Sequence, residues 1–296
     1  MSALPDSPQE ISAPGAEPGS KPAKPRMSTR NRLLFFATGW LIVLMPFLFW
    51  WNTWFGRQLS DKQIAEYLQD EKHPRHIQHA LVQMGERMSR GDARVKEWYP
   101  EAVRLANHPV EEVRNTDAWV MGQDTSGAGF HEALLKMLGD PSLTVRGNAA
   151  LSLVRFGDAS GRPQILELLK PATITAPTSG TVKDTGLAGS AVRGGGLVAK
   201  LQYGDRATQE LRSPFTGRIR SIAAPEGSQV SAGQTIATID PGTEQVWEGL
   251  RALYLIGQPE DLAAIQPYER ELPDIPDRVR QQAQATEDAI RQRAAK

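Results

Sequence analysis

His73, His76 and His79 stand at three-residue spacing, and these imidazoles are the residues of the 296-residue chain that come nearest to metal chemistry. On a helix, positions i and i+3 share a face but i+6 swings well around it, and His73 precedes Pro74, which puts it outside the helix. The pattern therefore reads as a solvated helix start, and no metal is expected. Gly194-Gly195-Gly196 lacks the G-K-S/T that completes a phosphate loop. The serines of that region have no histidine partner to activate them, and Glu111-Glu112 fits a helix start, where carboxylates favour the dipole. The chain has no cysteine, which excludes disulfides, thiolate metal sites and cysteine nucleophiles. Lysine plus arginine and aspartate plus glutamate both total 34, so there is no net basic field to neutralise nucleic-acid phosphates. No catalytic residue emerges, and the chain is expected not to be an enzyme.

The elements that hold these residues are of several kinds. Between Asp61 and Lys170 apolar residues recur at helical spacing, and a pattern repeats 32 positions apart: Pro109 with Pro141, Val113-Arg114 with Val145-Arg146, Ala118 with Ala150. A fainter copy starts at His73-Pro74. Each proline is expected in the first turn of a helix, where its missing N–H costs nothing. The form D-P-x-x-x-V-R-x-x-A-A, from Asp140 to Ala150, resembles the HEAT-like repeat. That resemblance implies stacked helix pairs with an extended surface for partners, and it makes Asp140, Arg114 and Arg146 inter-helix hydrogen-bonding groups rather than ligands. From Asp240 to Gly257 the helical pattern returns at an offset of 100, so the segment between is read as an insertion, and an inserted domain needs its two ends close together.

The inserted segment is written twice, 37 to 38 positions apart. A-P-T-S-G-T-V (Ala176–Val182), G-S-A-V (Gly189–Val192) and G-G-L-V-A-K-L (Gly195–Leu201) return as S-P-F-T-G-R-I (Ser213–Ile219), G-S-Q-V (Gly227–Val230) and G-Q-T-I-A-T-I (Gly233–Ile239). Each half predicts a P-x-x-G turn, a strand, a glycine turn and an alternating strand. The two halves are expected to bury Val182, Val192, Val198, Leu201, Leu211, Ile219, Ile222, Val230, Ile236 and Ile239. Over about Ala172 to Pro241 this resembles the biotinyl/lipoyl-like barrel-sandwich hybrid of carrier domains and of periplasmic membrane fusion adaptors. The resemblance implies a lysine at the tip of the hairpin between the halves. Counting back from Ser213-Pro214 puts Arg206 there, and a guanidinium cannot form the amide to biotin or lipoate. Lys200 is nearby, within the preceding strand. No cofactor is expected, and the exposed hairpin residues Tyr203, Asp205 and Arg206 become the candidate partner-binding groups. Adaptors separate the halves by a long coiled-coil hairpin, whereas here only Gln202 to Glu210 intervenes.

Leu33 to Trp51 is an uncharged, almost wholly apolar run, read as a transmembrane helix over 33–55 with Trp50, Trp51, Trp54 and Phe55 as an aromatic belt. Lys21, Lys24, Arg26, Arg30 and Arg32 precede it, so the N-terminus is expected in the cytoplasm and the rest of the chain in the periplasm, anchored to the inner membrane. The whole reads as a multidomain α and β protein with one transmembrane helix and an α-solenoid carrying an inserted all-β domain. The divisions are a disordered tail (1–32), the span (33–55), HEAT-like repeats (61–170), the barrel-sandwich hybrid (171–240), a further repeat (241–272) and a polar C-terminal tail (273–296), solvated as a helix or disordered. The function expected is a non-enzymatic scaffold with protein partners, among them a transporter or envelope complex, and no nucleic acid. The alternatives are an atypical adaptor subunit of an export or efflux complex and a biotin or lipoate carrier.

Overall fold

The computed structural model describes residues 28–53, 58–204, 207–270 and 275–295, with side chains of 48–53 left out. The chain divides into two compact units, Met1–Gln58 and Leu59–Lys296.

In the first unit the described residues form one helix, α1 (Thr29–Thr53). Among the described residues no helix is long and apolar enough to cross a membrane, and this corrects the expected span over 33–55. The physical reason lies in the helix itself. Arg30, Asn31 and Arg32 fill its first turn, and Thr38, Gly39 and Pro46 interrupt it. The expected aromatic belt and the tail over 1–27 lie outside the described side chains.

The second unit opens with α2 (Asp61–Leu68), α3 (Pro74–Ser89), α4 (Tyr99–Leu105), α5 (Glu111–Met121), α6 (Phe130–Met137), α7 (Leu143–Arg155) and α8 (Arg162–Leu168). Eight strands follow, β1 (Ala172–Thr175), β2 (Gly180–Thr185), β3 (Ala191–Val192), β4 (Leu197–Tyr203), β5 (Ala207–Arg212), β6 (Gly217–Ile222), β7 (Gln229–Val230) and β8 (Thr235–Pro241). The chain closes with α9 (Thr243–Ile256), α10 (Leu262–Ile265) and α11 (Asp277–Ala294).

The helices form two layers. One row runs α3, α5, α7, α9, each packed on the next, and α2, α4, α6 and α8 lie against it. Their cores are the repeated positions: Val113, Val145, Ala118 and Ala150 are all fully buried. Of the three repeated prolines, Pro109 and Pro141 stand two positions before the first residue of their helices. Only Pro74 is a first-turn residue, whereas Val110 and Ser142 are the N-caps of α5 and α7 and Pro109 and Pro141 lie before them. The Asp140 carboxylate takes the Ser142 N–H at 2.8 Å, and Ser142 Oγ takes the Val145 N–H, so side chains organise this turn. Helix α11 packs on α9 and buries Val279, Ala283, Thr286 and Ile290. The C-terminal segment that reads as polar all round therefore has a buried stripe at 4-3-4 spacing, concealed in sequence by its alanine and threonine.

Arginines link successive turns of the array. Arg114 donates to both Asp140 carboxylate oxygens, at 2.7 and 3.0 Å, and to the carbonyls of His108 and Pro109. Arg146 repeats this one unit on, donating to the carbonyls of Asp140 and Pro141 and to Glu167. These are the inter-helix roles that the motif implied.

The strands form two antiparallel four-stranded sheets, ordered β1-β8-β6-β3 and β5-β4-β2-β7. Replacing each strand by its counterpart 37 or 38 residues away turns one order into the other, so each half contributes strands to both sheets. The core is Val182, Val192, Val198, Leu201, Leu211, Ile219, Val230, Ile236 and Ile239, with Phe215 in addition; Ile222 is only partly buried against it. The P-x-x-G glycines have a steric cause. A Cβ on Gly180 would collide with the Gln202 carbonyl, and one on Gly217 with the equivalent Asp240 carbonyl, because neighbouring strands approach closely there.

Candidate functional site

The hairpin between the two halves is built by β4 and β5, paired from Leu197↔Arg212 out to Tyr203↔Ala207. Gly204 turns the chain with φ +61, a conformation that favours glycine. Tyr203 is 41% exposed at the end of β4. Asp205 and Arg206, the other two candidate partner-binding residues, lie outside the described residues. Lys200 sits three residues before Tyr203, inside β4, with Glu210 across from it on β5 and Asp184 on β2.

At the base of the β domain, a groove of about 720 Å³ is lined by Leu169, Arg220, Asp240, Val246, Tyr268 and Ile275 among others. Arg220 pairs with Asp240, and the Tyr268 hydroxyl donates to the Leu169 carbonyl. Burial, then the charge of Asp240, pushes that hydroxyl up to about 12. It remains a neutral donor, and its contact fastens the last helical segments to the turn that leads into β1.

The histidines are arranged otherwise than their spacing suggests. His73 and His76 both turn their Nδ1 atoms onto Asp70: Oδ2 is 2.9 Å from His73 and 2.8 Å from His76, and Oδ1 is 2.9 Å from His73. His79 instead meets Gln83 at 2.9 Å. The His76 ring stacks on Tyr67, with centroids 4.3 Å apart and planes 9° from parallel. The hydrogen bond from His76 leads the causes that hold the Asp70 carboxyl below the usual range. Asp70 escaped sequence reading because it stands in a stretch of mixed charge; the spacing D-x-x-H-x-x-H was the available signal.

A buried carboxyl lies elsewhere in the array. Asp117 on α5 is fully buried, and neither of its carboxylate oxygens has a hydrogen-bond partner among the described residues. Burial pushes its pKa well above the ordinary value, with the charge of Arg104 opposing. The folded state therefore holds this proton more tightly than the unfolded chain, and its contribution is fully present below about pH 4 and declines as pH rises. An Asp117→Asn chain is expected to lose that slope, up to about 1.4 kcal/mol per pH unit. Urea midpoints measured from pH 4 to 7 should fall less steeply for the variant than for the parent; identical slopes would show that Asp117 is not titrating.

Set against known proteins, residues 172–239 match the family described as "Biotin-requiring enzyme", the biotin/lipoyl domain. No curated protein matches the chain in sequence. Among solved structures it is similar to the complex of CpcE and CpcF of phycocyanin lyase from Nostoc sp., at 17% identity over 82% of this chain and 69% of that one, with a TM-score of 0.43. It is also similar to a single-chain, multi-domain long-chain acyl-CoA carboxylase, at 14% identity over 58% of this chain and 16% of that one, with a TM-score of 0.23. Neither likeness is close enough to define the fold. Residues 172–239 are thus a biotin/lipoyl domain, set between the helices α2–α8 and α9–α11 of the second unit.

Proposed function

We propose that this chain is a non-enzymatic interaction protein in which a HEAT-like helical array displays a cofactor-free biotin/lipoyl module to a protein partner. One observation carries the reading: the hairpin tip, Tyr203-Gly204-Asp205-Arg206-Ala207, contains no lysine, and the nearest amine, that of Lys200, belongs to a residue paired on both sides within its sheet. The sequence of this segment supplies an aromatic ring, a carboxylate and a guanidinium, residue types that suit recognition better than acylation.

The match to a family described as biotin-requiring favours a carrier as the second reading. Intact mass after co-expression with biotin and lipoate ligases separates the two. The parent chain is expected to keep its unmodified mass. A shift mapped to Lys200 would overturn the cofactor-free reading. Arg206→Lys supplies an amine where the family attaches its group, and its labelling beside an unlabelled parent would trace the lost function to one side chain. A photo-crosslinker at position 203 is expected to capture a protein that the same group at exposed Thr173 does not.

A further inference from the structure

We propose that Asp70, His73 and His76 bind one late first-row divalent cation, of the class of Zn²⁺, Ni²⁺ and Cu²⁺. The ligating atoms of the three residues all lie within 4.8 Å of one another. Two ring nitrogens converge on a single oxygen, Oδ2 of Asp70, at 2.9 and 2.8 Å. Two nitrogens and one oxygen are a borderline donor set, suited to these ions and poor for Mg²⁺ or Ca²⁺, which call for oxygen. Around an ion with bonds of about 2.1 Å, tetrahedral neighbours stand roughly 3.4 Å apart, so the cluster needs to open by about half an ångström.

The segment that presents these ligands is held before any ion arrives. The His73 N–H reaches the Asp70 carbonyl at 3.0 Å, and the His76 N–H reaches the His73 carbonyl at 2.8 Å, closing two consecutive turns. Pro74 then fixes the start of α3, and Tyr67 stacks on the His76 ring to set its plane. Ion entry requires each Nδ1 to leave Asp70 and turn its lone pair to the ion, with the ring proton carried on Nε2. Side-chain exposures of 26% for Asp70, 62% for His73 and 43% for His76 leave a path from solvent. Three protein ligands with open positions are the pattern of a site that keeps room for water or a further ligand. His79, the third histidine of the sequence pattern, is no part of it, since it turns to Gln83.

The test uses the full chain without a polyhistidine tag, titrated with ZnCl₂ by calorimetry, with MgCl₂ as comparison. One equivalent of Zn²⁺ is expected per chain, and no heat from Mg²⁺. Asp70→Asn and His76→Ala should each weaken Zn²⁺ binding about tenfold or more, and His79→Ala should leave it unchanged. His73→Gln, at the most exposed of the three positions, serves if His76→Ala fails to fold. Co²⁺ should give visible absorption bands that the Asp70 variant lacks. Absence of Zn²⁺ binding by the parent, or binding untouched by the Asp70 and histidine substitutions, would overturn the site.

Discussion

Phe215→Ala is expected to lower the stability of the β domain by about 3–5 kcal/mol, the usual cost of emptying a buried aromatic position. Phe215 is 1% exposed and lies in the core shared by both sheets. Its counterpart in the first half, Thr178, is exposed, so the internal duplication has no second aromatic ring here to compensate. A domain of this size buries little surface, and this loss is a large share of its total stability. Hydrogen exchange of the β-strand amides in rising urea should show the domain opening moved to much lower denaturant, with protection of the amides of α3, α5 and α7 largely kept. Thr178→Ala, the same truncation at the symmetry-related position, should change stability by less than about 0.5 kcal/mol. Equal effects at the two positions would remove the argument from burial.

Arg114→Ala is expected to destabilise the helical array by about 3–5 kcal/mol, because it leaves the buried Asp140 carboxylate without its cation. The side chains of Arg114 and Asp140 are 12% and 7% exposed. Burial alone raises the Asp140 pKa, but the Arg114 fork and the Ser142 N–H outweigh it and hold the carboxyl below the usual range. A depressed value gives stability that is present above about pH 4 and is lost as pH falls through the folded-state value. The variant should therefore lose most at neutral pH and converge on the parent in acid. Arg146→Ala should cost less, since its partner Glu167 is 48% exposed and keeps water around its charge. Thermal denaturation at pH 7 and pH 3 measures both differences; a constant gap between parent and variant would argue against the ion pair.

The β domain was legible because duplication writes each constraint twice: Gly180 and Gly217 recur wherever strands approach too closely for a Cβ, and the alternating valines and isoleucines mark the core. Phe215 was not legible, since it occupies a turn position whose counterpart is polar. The packing helix at the C-terminus hid its stripe behind Ala283 and Thr286, which read as neutral. Helical periodicity found Val113 and Val145 but placed Pro109 and Pro141 two positions too late; at Pro141 the reason is that the Asp140 and Ser142 side chains make the turn. The apolar run after Arg32 suggested a span from composition alone, but among the described residues no helix is long and apolar enough to cross a membrane, and Arg30, Asn31 and Arg32 fill the first turn of α1. The Asp70 cluster needed a turn and a helix start to meet, which histidine spacing does not encode.

The β domain enters and leaves through neighbouring strands, with Ala172 opposite Ile239 on β1 and β8. That pairing changes what the connection costs the helices on either side of it. While the domain is unfolded, α8 and α9 are tethered by a floppy connection of about 70 residues, and bringing its ends together costs roughly 4 kcal/mol of chain entropy. Once β1 and β8 have zipped, the same connection behaves as a link a few residues long, and α9 is delivered to its place beside α8. The domain then acts as an internal clamp for its host, holding the ends of α8 and α9 near each other.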